Sequence, residues 1–264
     1  MGTPYDAPPE QIYGTYSEKD QKFWVRLEEI LTEYPHSVQH LLGHWPVYAK
    51  RILLCRFLAH WEIFRQVSEL PGSILELGVS RGVSLFTFYK FLEITHPADT
   101  GRRVYGIDSF EGLTDFGDKD GAHHEEDAGR SDRRVGGWSA GAVEGEVMAL
   151  LDLFNADNIL ARERISIVKG RVADALPRLL EANPGLRFSI VHFDMDLYEP
   201  TKYALDAVWD LIVPGGAVIL DEYAVRPWEG ETNAVDEFFR ERELKVIVKK
   251  FPWANTPGGY FLKP

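Results

Sequence analysis

The spacing of apolar residues divides the chain into a helical first quarter and an alternating remainder. In residues 17–66 apolar side chains recur every three or four positions, which is the period of an amphipathic helix. From residue 73 onward short apolar runs alternate with longer segments of helical spacing. We therefore predict a helical N-terminal arm and cap over residues 1–65, followed by one larger domain over residues 66–264.

Seven short apolar runs of the larger domain are predicted strands. They lie at residues 73–82, 102–108, 164–170, 188–194, 217–221, 244–251 and 258–264. Helical spacing separates or follows the first five, at residues 82–95, 141–155, 172–182, 199–211 and 231–242. This alternation indicates an α/β fold, a doubly wound parallel sheet with helices on both faces. The last two runs have only a short Pro- and Asn-containing loop between them, which predicts an antiparallel C-terminal hairpin.

The segment at residues 109–140 interrupts this alternation. It is long, polar and rich in charged residues, and connections of that length are usually functional or disordered. It follows the second predicted strand, at the sheet edge where open α/β sheets bind ligands. We predict a lid or substrate-contacting loop. The alternative is a solvated excursion without a role.

Composition excludes several classes of protein. The 264-residue chain has a formal net charge of −12, whereas a nucleic-acid binder needs a basic face to neutralise phosphates. No apolar run approaches the roughly 20 residues that a membrane span needs, and the first residues lack the basic and apolar regions of a secretory signal. The single Cys55 fits a reducing compartment. We expect a soluble cytoplasmic protein without nucleic-acid or membrane partners.

A glycine turn after the first predicted strand is a candidate nucleoside site. Gly78 and Gly82 allow close approach of the backbone to a ligand at a helix N-terminus. Asp108 ends the next predicted strand, where an acid typically binds ribose hydroxyls. Ser80 replaces the middle glycine of a dinucleotide motif, which leaves less room for a pyrophosphate. Glu76, just before the turn, can receive an ammonium group, so the turn fits S-adenosylmethionine better than NAD.

Four carboxylates end the fourth and fifth predicted strands. Asp194 and Asp196 are two residues apart, so they face the same side of an extended chain. Asp221 and Glu222 follow the neighbouring strand. Crowded carboxylates require a bound cation or a shared proton, and oxygen ligands without His or Cys favour Mg²⁺. Alternatively, each acid caps the helix that follows it.

At these residues the chain resembles the macrocin O-methyltransferase family, over about residues 45–264. The resemblance is carried by four segments: DMDLYEPT (194–201), VPGGAVILDEY (213–223), SILELGVSRGVS (73–84) and IDSFEGL (107–113). It implies a seven-stranded class I, Rossmann-like methyltransferase sheet. It also implies an enzyme that uses S-adenosylmethionine and Mg²⁺ to methylate sugar hydroxyls on natural-product glycosides, as in antibiotic biosynthesis.

The resemblance assigns roles to the clustered acids. It implies that Asp194 is a metal ligand and that Asp196 is the general base. It implies that Asp221 and Glu222 complete the metal site. The family usually has two Asp residues at the last pair, so whether Glu222 contacts the metal directly or holds a metal-bound water is open.

Further residues are predicted around the cofactor and substrate. The expected cofactor-binding set is Glu76, Gly78, Ser80, Ser84, Asp108, Ser109 and Asp174, with Arg171 as an alternative to Asp174. His123 and His124 of the long loop are candidate sugar contacts or exposed histidines. Trp138 is either part of a pocket wall or ordinary packing. Apolar residues of the first helices, such as Trp45, Tyr48 and Trp61, cover a homodimer or higher homo-oligomer interface, or else belong to the core.

Three rival functions stay open at this point. A catechol or other phenolic diol would suit the same metal. A nicotinamide oxidoreductase could use the same kind of sheet, although the missing middle glycine and the terminal hairpin argue against it. A non-catalytic binding module is the third, and the retention of four carboxylates argues against that one.

Overall fold

The computed structural model describes residues 9–114, 116–121, 134–226 and 228–264. Contacts within the chain define two units, Met1–Leu54 and Cys55–Pro264. The division falls inside one helix, Arg51–Val67.

One long helix and several shorter ones make up the described part of the first unit. They are α1 (Pro9–Glu33), α2 (Val38–Gly43) and α3 (Trp45–Tyr48), and α4 (Arg51–Val67) begins in this unit. Helix α1 ends two residues before Pro35, because a proline disfavours the helical conformation of the residue before it. The side chain of Ser37 accepts a hydrogen bond from the backbone N–H of His40, which caps the start of α2.

The second unit is built on a mixed sheet. Its strands in the described residues are β1 (Ser73–Leu77), β2 (Val104–Asp108), β3 (Ile165–Lys169), β4 (Phe188–Phe193), β5 (Ile212–Leu220) and β6 (Gly259–Leu262). Their order across the sheet is β3-β2-β1-β4-β5-β6. The first five are parallel, whereas β6 pairs antiparallel with β5.

Helices cover both faces of the sheet, as predicted. They are α4, α5 (Val83–Thr95), α6 (Glu144–Asp157), α7 (Val172–Ala182), α8 (Tyr198–Val208) and α9 (Glu229–Glu241). On one face Ile74, Ile190 and Ile219 pack with Phe88 and Phe91. The alternate residues of the same strands, including Leu75, Val191 and Val218, pack on the other face with Leu205 and Phe238. This double burial explains why the strands read as continuous apolar runs.

The prediction of seven strands is wrong by one in the described residues. Residues 244–251 form no ladder, and only Lys249 exchanges two backbone hydrogen bonds with Tyr260, each 2.8 Å long. The apolar alternation is nevertheless used, because Leu244, Val246 and Val248 pack against the core while Ile247 is exposed. The C-terminal hairpin is therefore confirmed only in its second strand, which is antiparallel to β5.

The sheet order places one crevice. Strands β1 and β4 are neighbours although they are far apart in sequence. The helix that follows β1, α5, packs on one face of the sheet, and the helix that follows β4, α8, packs on the other. In open α/β sheets ligands bind at the carboxyl ends of strands where the order reverses. Among the described residues no helix is long and apolar enough to cross a membrane.

Candidate active site

An arginine bridges the two acids that end β4 and β5. Phe193 and Leu220 are partners in the strand register, and Asp194 and Asp221 follow them directly. The guanidinium of Arg56, on α4, donates from Nη2 to Oδ2 of Asp194 over 2.9 Å and from Nη1 to Oδ2 of Asp221 over 2.7 Å. The predicted convergence of these carboxylates is thus present, with a cation of the chain itself between them.

Two hydroxyl groups complete the surroundings of that guanidinium. Nη1 also donates to Thr256 Oγ1 over 2.8 Å, and Nη2 to Ser84 Oγ over 3.0 Å. Ser84 was predicted to bind the cofactor. The structure places its buried hydroxyl against Arg56. If Ser84 binds the cofactor, it does so while its hydroxyl accepts a hydrogen bond from Arg56.

His192 lies behind the pair, on β4. Its imidazole is fully buried, with Nε2 3.2 Å from Asp221 Oδ1 and Nδ1 3.5 Å from Glu76 Oε1. Burial alone would lower the pKa of His192, but the hydrogen bond to Asp221, the contact with Glu76 and the charges of these two acids raise the pKa to about 9. The protonated imidazole therefore holds Asp221 from the side opposite Arg56.

Glu76 belongs to this buried cluster. Its side chain is 1% exposed, and burial raises its pKa to about 7 against the opposing effect of His192. Its Oε2 has no hydrogen-bond partner among the described residues. An unpartnered buried carboxylate oxygen is costly, and a ligand with an N–H donor would satisfy it.

The pKa values of Asp194 and Asp221 are shifted in opposite directions. Burial and the negative charge of Asp221 raise the pKa of Asp194 to about 6. Although burial opposes it, the charge of Arg56 keeps the pKa of Asp221 below its usual range. The hard oxygen donors of the pair suit Mg²⁺ chemically, and the bound guanidinium shows that this spot stabilises positive charge.

Glu222 is placed less directly. Its backbone N–H donates to Oε1 of Glu231 over 2.9 Å. The carboxyl of Glu231 is fully buried, and its pKa is well above the usual range because of burial and the charges of Asp221 and Glu222. Among the described residues there are two groups of possible ligand atoms in which the atoms of each group lie within 4.8 Å of one another, and Glu222 is in neither. These groups are His60, His192 and Asp221, and Glu76, His192 and Asp194.

Asp108 fastens the glycine turn. Its Oδ2 accepts from the N–H groups of Val79 and Ser80, both over 2.7 Å, and its Oδ1 accepts from Phe110 over 2.6 Å. Ser80 has a φ of +48°, a left-handed conformation that these two hydrogen bonds support. The acid predicted to bind ribose therefore also shapes the turn.

Gly78 is required by the chain as well as by any ligand. Its φ is +89°, and a Cβ atom there would overlap the carbonyl oxygen of Asp194. Its N–H donates to Ile107, and the N–H of Asp194 donates to Leu77. The absence of a side chain thus lets the turn lie directly against the end of β4, beside the acid pair.

The remaining predicted cofactor residues lie away from the acid pair. Ser109 accepts a hydrogen bond from the N–H of Glu111 over 3.1 Å. Asp174 is exposed in the first turn of α7, which follows the edge strand β3. Arg171, just before α7, lies 3.7 Å from the carboxylate of Glu111.

Asp196 lies on the tight turn between β4 and α8. Its φ is +62°, a conformation that Asp tolerates better than most residues. The turn is closed by a 2.6 Å hydrogen bond from the N–H of Leu197 to the carbonyl of Met195. The side chain is partly buried.

Residues 116–121 of the long loop contact helices α8 and α9. Asp120 is buried, and its Oδ1 accepts from the N–H of Tyr198 over 2.6 Å while its Oδ2 accepts from Gly117 over 2.7 Å. Lys119 Nζ lies 2.7 Å from the hydroxyl of Tyr198 and 2.6 Å from Glu237. This segment, residues 116–121, is therefore attached to the start of α8.

Two other predictions concern the same loop. His123 and His124 lie outside the described residues. Trp138 is 56% exposed with a φ of +58°, so it is not packed in the core.

A comparison with protein families shows to which family the chain belongs. The profile of the macrocin-O-methyltransferase (TylF) family matches residues 43–260. The chain belongs to the macrocin-O-methyltransferase family. It is an O-methyltransferase, which confirms the resemblance found in the sequence.

Two curated relatives of this methyltransferase come from Streptomyces. The 8-demethyl-8-(2,3-dimethoxy-alpha-L-rhamnosyl)-tetracenomycin-C 4'-O-methyltransferase of Streptomyces olivaceus is 30% identical over 195 residues, covering 72% of this chain and 69% of the relative. The demethyldecarbamoylnovobiocin O-methyltransferase of Streptomyces niveus is 27% identical over 241 residues, covering 90% and 80%.

Solved structures of the same kind share the architecture. The calicheamicin methyltransferase CalS11 superposes with a TM-score of 0.80 at 26% identity, covering 97% of this chain and 93% of that one. The O-methyltransferase NovP superposes with a TM-score of 0.62 at 25% identity, covering 80% of each chain.

Sequence reasoning missed four charged or titratable residues that the structure places around the candidate site or its docked loop. Arg56 and His192 lie within segments that pattern alone reads as a helix and a strand, and Glu231 lies at the start of α9. Asp120 is one of many acids in a polar loop. The available signal was a charged residue at a position where helix or strand periodicity requires an apolar one, as at His192 between Val191 and Phe193.

Proposed function

We propose that this methyltransferase transfers a methyl group from S-adenosylmethionine to a hydroxyl of a deoxysugar in an antibiotic-type glycoside. The observation that carries the proposal is the acid pair, Asp194 and Asp221, beside a glycine turn at the switch point of the sheet. The names of the relatives support a sugar as the acceptor of the methyl group. One is a 4'-O-methyltransferase of a rhamnosyl-tetracenomycin, and CalS11 is described as a TDP-rhamnose 3'-O-methyltransferase.

The donor fits around the glycine turn. The unpartnered Oε2 of Glu76 suits the ammonium of the methionine moiety. A carboxylate oxygen can accept two hydrogen bonds, so Asp108 Oδ1, which has one from Phe110, can also accept from a ribose hydroxyl. Gly78, Ser80 and Ser84 would line the methionine side. Ser109 and Asp174 would lie on the adenine side. When bound, S-adenosylmethionine supplies the methyl group.

A divalent cation fits the acid pair. Mg²⁺ would be held by Asp194 and Asp221, with Glu222 as a direct ligand or as the acceptor for a metal-bound water. When bound, it would favour loss of the proton from the reacting hydroxyl by its charge. His192 orients Asp221 for that task through the 3.2 Å contact with Oδ1.

Asp196 is the proposed general base. Along the chain it lies two residues after Asp194 and two residues before α8 begins at Tyr198. Its left-handed backbone is fixed by the short turn that precedes Tyr198. The acceptor oxygen forms its bond to the methyl carbon as the bond from that carbon to sulfur breaks, and the hydroxyl proton passes to the carboxylate of Asp196. The products are the methyl ether and S-adenosylhomocysteine.

We further propose that the enzyme is a cytoplasmic homodimer or higher oligomer. Trp24 and Trp45 of the N-terminal unit are 43% and 41% exposed, and this unit has further exposed apolar residues such as Phe23 and Leu42; exposed apolar residues that form a patch mark interaction sites. Trp61, in contrast, packs on Phe91 with ring centroids 5.0 Å apart, so it belongs to the core. Light scattering on the purified protein would give the oligomeric mass.

The function is tested by product analysis. The protein is incubated with S-adenosylmethionine, Mg²⁺ and a panel of deoxysugar glycosides with vicinal hydroxyls, and the products are identified by mass spectrometry. We expect one methyl added to the sugar and one S-adenosylhomocysteine for each turnover. Methylation of catechol alone would favour the phenolic alternative. Binding of NAD in place of S-adenosylmethionine, or of neither, would contradict methyl transfer.

A further inference from the structure

The guanidinium of Arg56 forms hydrogen bonds with four separate parts of the chain. Its guanidinium contacts the ends of β4 and β5 at Asp194 and Asp221, the start of α5 at Ser84, and the segment before β6 at Thr256. Every one of these contacts is 3.0 Å or shorter. A surface arginine that lay near an acid by chance would not find four acceptors on four separate elements.

The guanidinium and a divalent cation need the same oxygens. Asp221 has one oxygen bonded to His192 and the other to Arg56. The Oδ2 atom of Asp194 is bonded to Arg56 as well. A cation that binds both carboxylates between the strands must therefore displace Arg56 or share oxygens with it at the cost of charge repulsion.

The cluster is not closed off from solvent. The side chain of Arg56 is 22% exposed and that of Asp194 is 28% exposed, whereas that of Asp221 is 4% exposed. Arginine is more weakly hydrated than an ammonium group and forms planar paired contacts with carboxylates. These properties suit a cation that holds one buried and one partly exposed acid and can still be released to water.

We propose that Arg56 is an internal counter-cation of the Asp194–Asp221 pair, which it neutralises until a divalent ion binds and takes its place. The inference rests on the metal site of the proposed function. It assigns to Arg56 a positioning role. The side chain keeps two mutually repelling acids at the ends of adjacent strands in the enzyme without metal, and it sets how tightly the metal binds.

The test is a titration with Mn²⁺, in which the free ion is followed by electron paramagnetic resonance. The proteins are the wild type, Arg56→Met, Arg56→Lys and Arg65→Met, all without acceptor or methyl donor. Arg65→Met is the matched control, because it removes the same charge from the same helix at a side chain that is 59% exposed and paired with Glu62.

We expect Arg56→Met to bind Mn²⁺ about tenfold or more tightly than the wild type, the factor for removal of one competing charge-assisted contact. Arg56→Lys keeps a competing cation and should stay within about threefold of the wild type, as should Arg65→Met. Without ions the melting temperature of Arg56→Met should fall below that of Arg65→Met, and Mn²⁺ should restore it, because Asp194 and the buried Asp221 otherwise lack the counter-charge of Arg56.

Two results would overturn the inference, and they are distinguishable. Equal or weaker Mn²⁺ binding by folded Arg56→Met would mean that Arg56 does not compete with the ion, while the metal site itself would stand. No Mn²⁺ binding by any of the four proteins would remove both the exchange and the metal site, and would leave methyl transfer from S-adenosylmethionine to be judged by its own product assay.

Discussion

Asp194 and Asp221 lie at the ends of adjacent parallel strands, and their Oδ2 atoms share the guanidinium of Arg56. The two acids are brought together by the register of β4 and β5, in which Phe193 is opposite Leu220. Two carboxylates so close together would repel strongly without a cation. The pair therefore marks the point of the sheet where this methyltransferase concentrates charge.

Substitution of Gly78 by alanine should destabilise the fold. The new Cβ would overlap the carbonyl oxygen of Asp194, and the φ of +89° is unfavourable for alanine. We expect a loss of roughly 3 kcal/mol or more in the free energy of unfolding, the range for combined overpacking and backbone strain. Urea denaturation followed by circular dichroism would measure it.

Gly145→Ala is the control for that experiment. Gly145 lies in α6, and a Cβ there meets nothing within 4 Å, so alanine should be neutral or stabilise by up to about 1 kcal/mol. Equal stability of the two variants would show that the turn and β4 are not in close contact.

Asp120→Asn should loosen the docked segment, residues 116–121. The carboxylate accepts from the N–H groups of both Gly117 and Tyr198, whereas an amide has only one accepting oxygen. We expect a loss of about 1–2 kcal/mol and faster hydrogen exchange at residues 116–121, measured by mass spectrometry. Asp118→Asn, at an exposed position of the same turn, should change neither. Unchanged exchange in Asp120→Asn would contradict the docking.

His40 should titrate below the ordinary pKa of a histidine. Its ring is stacked on those of His36 and His44, with centroid distances of 4.2 and 4.3 Å. Loss of solvent and the charges of these two histidines lower the pKa of His40 from its usual 6.5. As the pH falls, His40 therefore gains its proton below the usual range of a histidine. In the variant with both neighbours changed to Asn, NMR titration of the ring should show a higher pKa. An unchanged value would disprove the stack.

The alternation of strands and helices was predictable because burial on both faces leaves short continuous apolar runs. The backbone pairing at the C-terminal edge of the sheet was less predictable. Residues 244–251 have the apolar alternation of a strand, yet Leu244, Val246 and Val248 serve packing while only Lys249 pairs. Periodicity reports which side chains are buried, and it does not report whether the backbone finds a partner.

The acid pair could be predicted because strand ends meet at one edge of a parallel sheet. The cation between the acids could not, because Arg56 comes from a helix more than a hundred residues earlier. The same limit applies to Asp108. Its position at a strand end suggested a ribose contact, but only the structure shows that it also fastens Val79 and Ser80.

The most direct test of the proposed mechanism is the variant Asp196→Asn, with Glu199→Gln, an exposed acid of the same segment, as the control. Binding of S-adenosylmethionine is measured by calorimetry, and methyl transfer to the glycoside by mass spectrometry. We expect Asp196→Asn to bind the donor as the wild type does and to lose about 100-fold or more of its turnover, the contribution of a general base. Turnover equal to that of Glu199→Gln would contradict the assignment of Asp196 as the base.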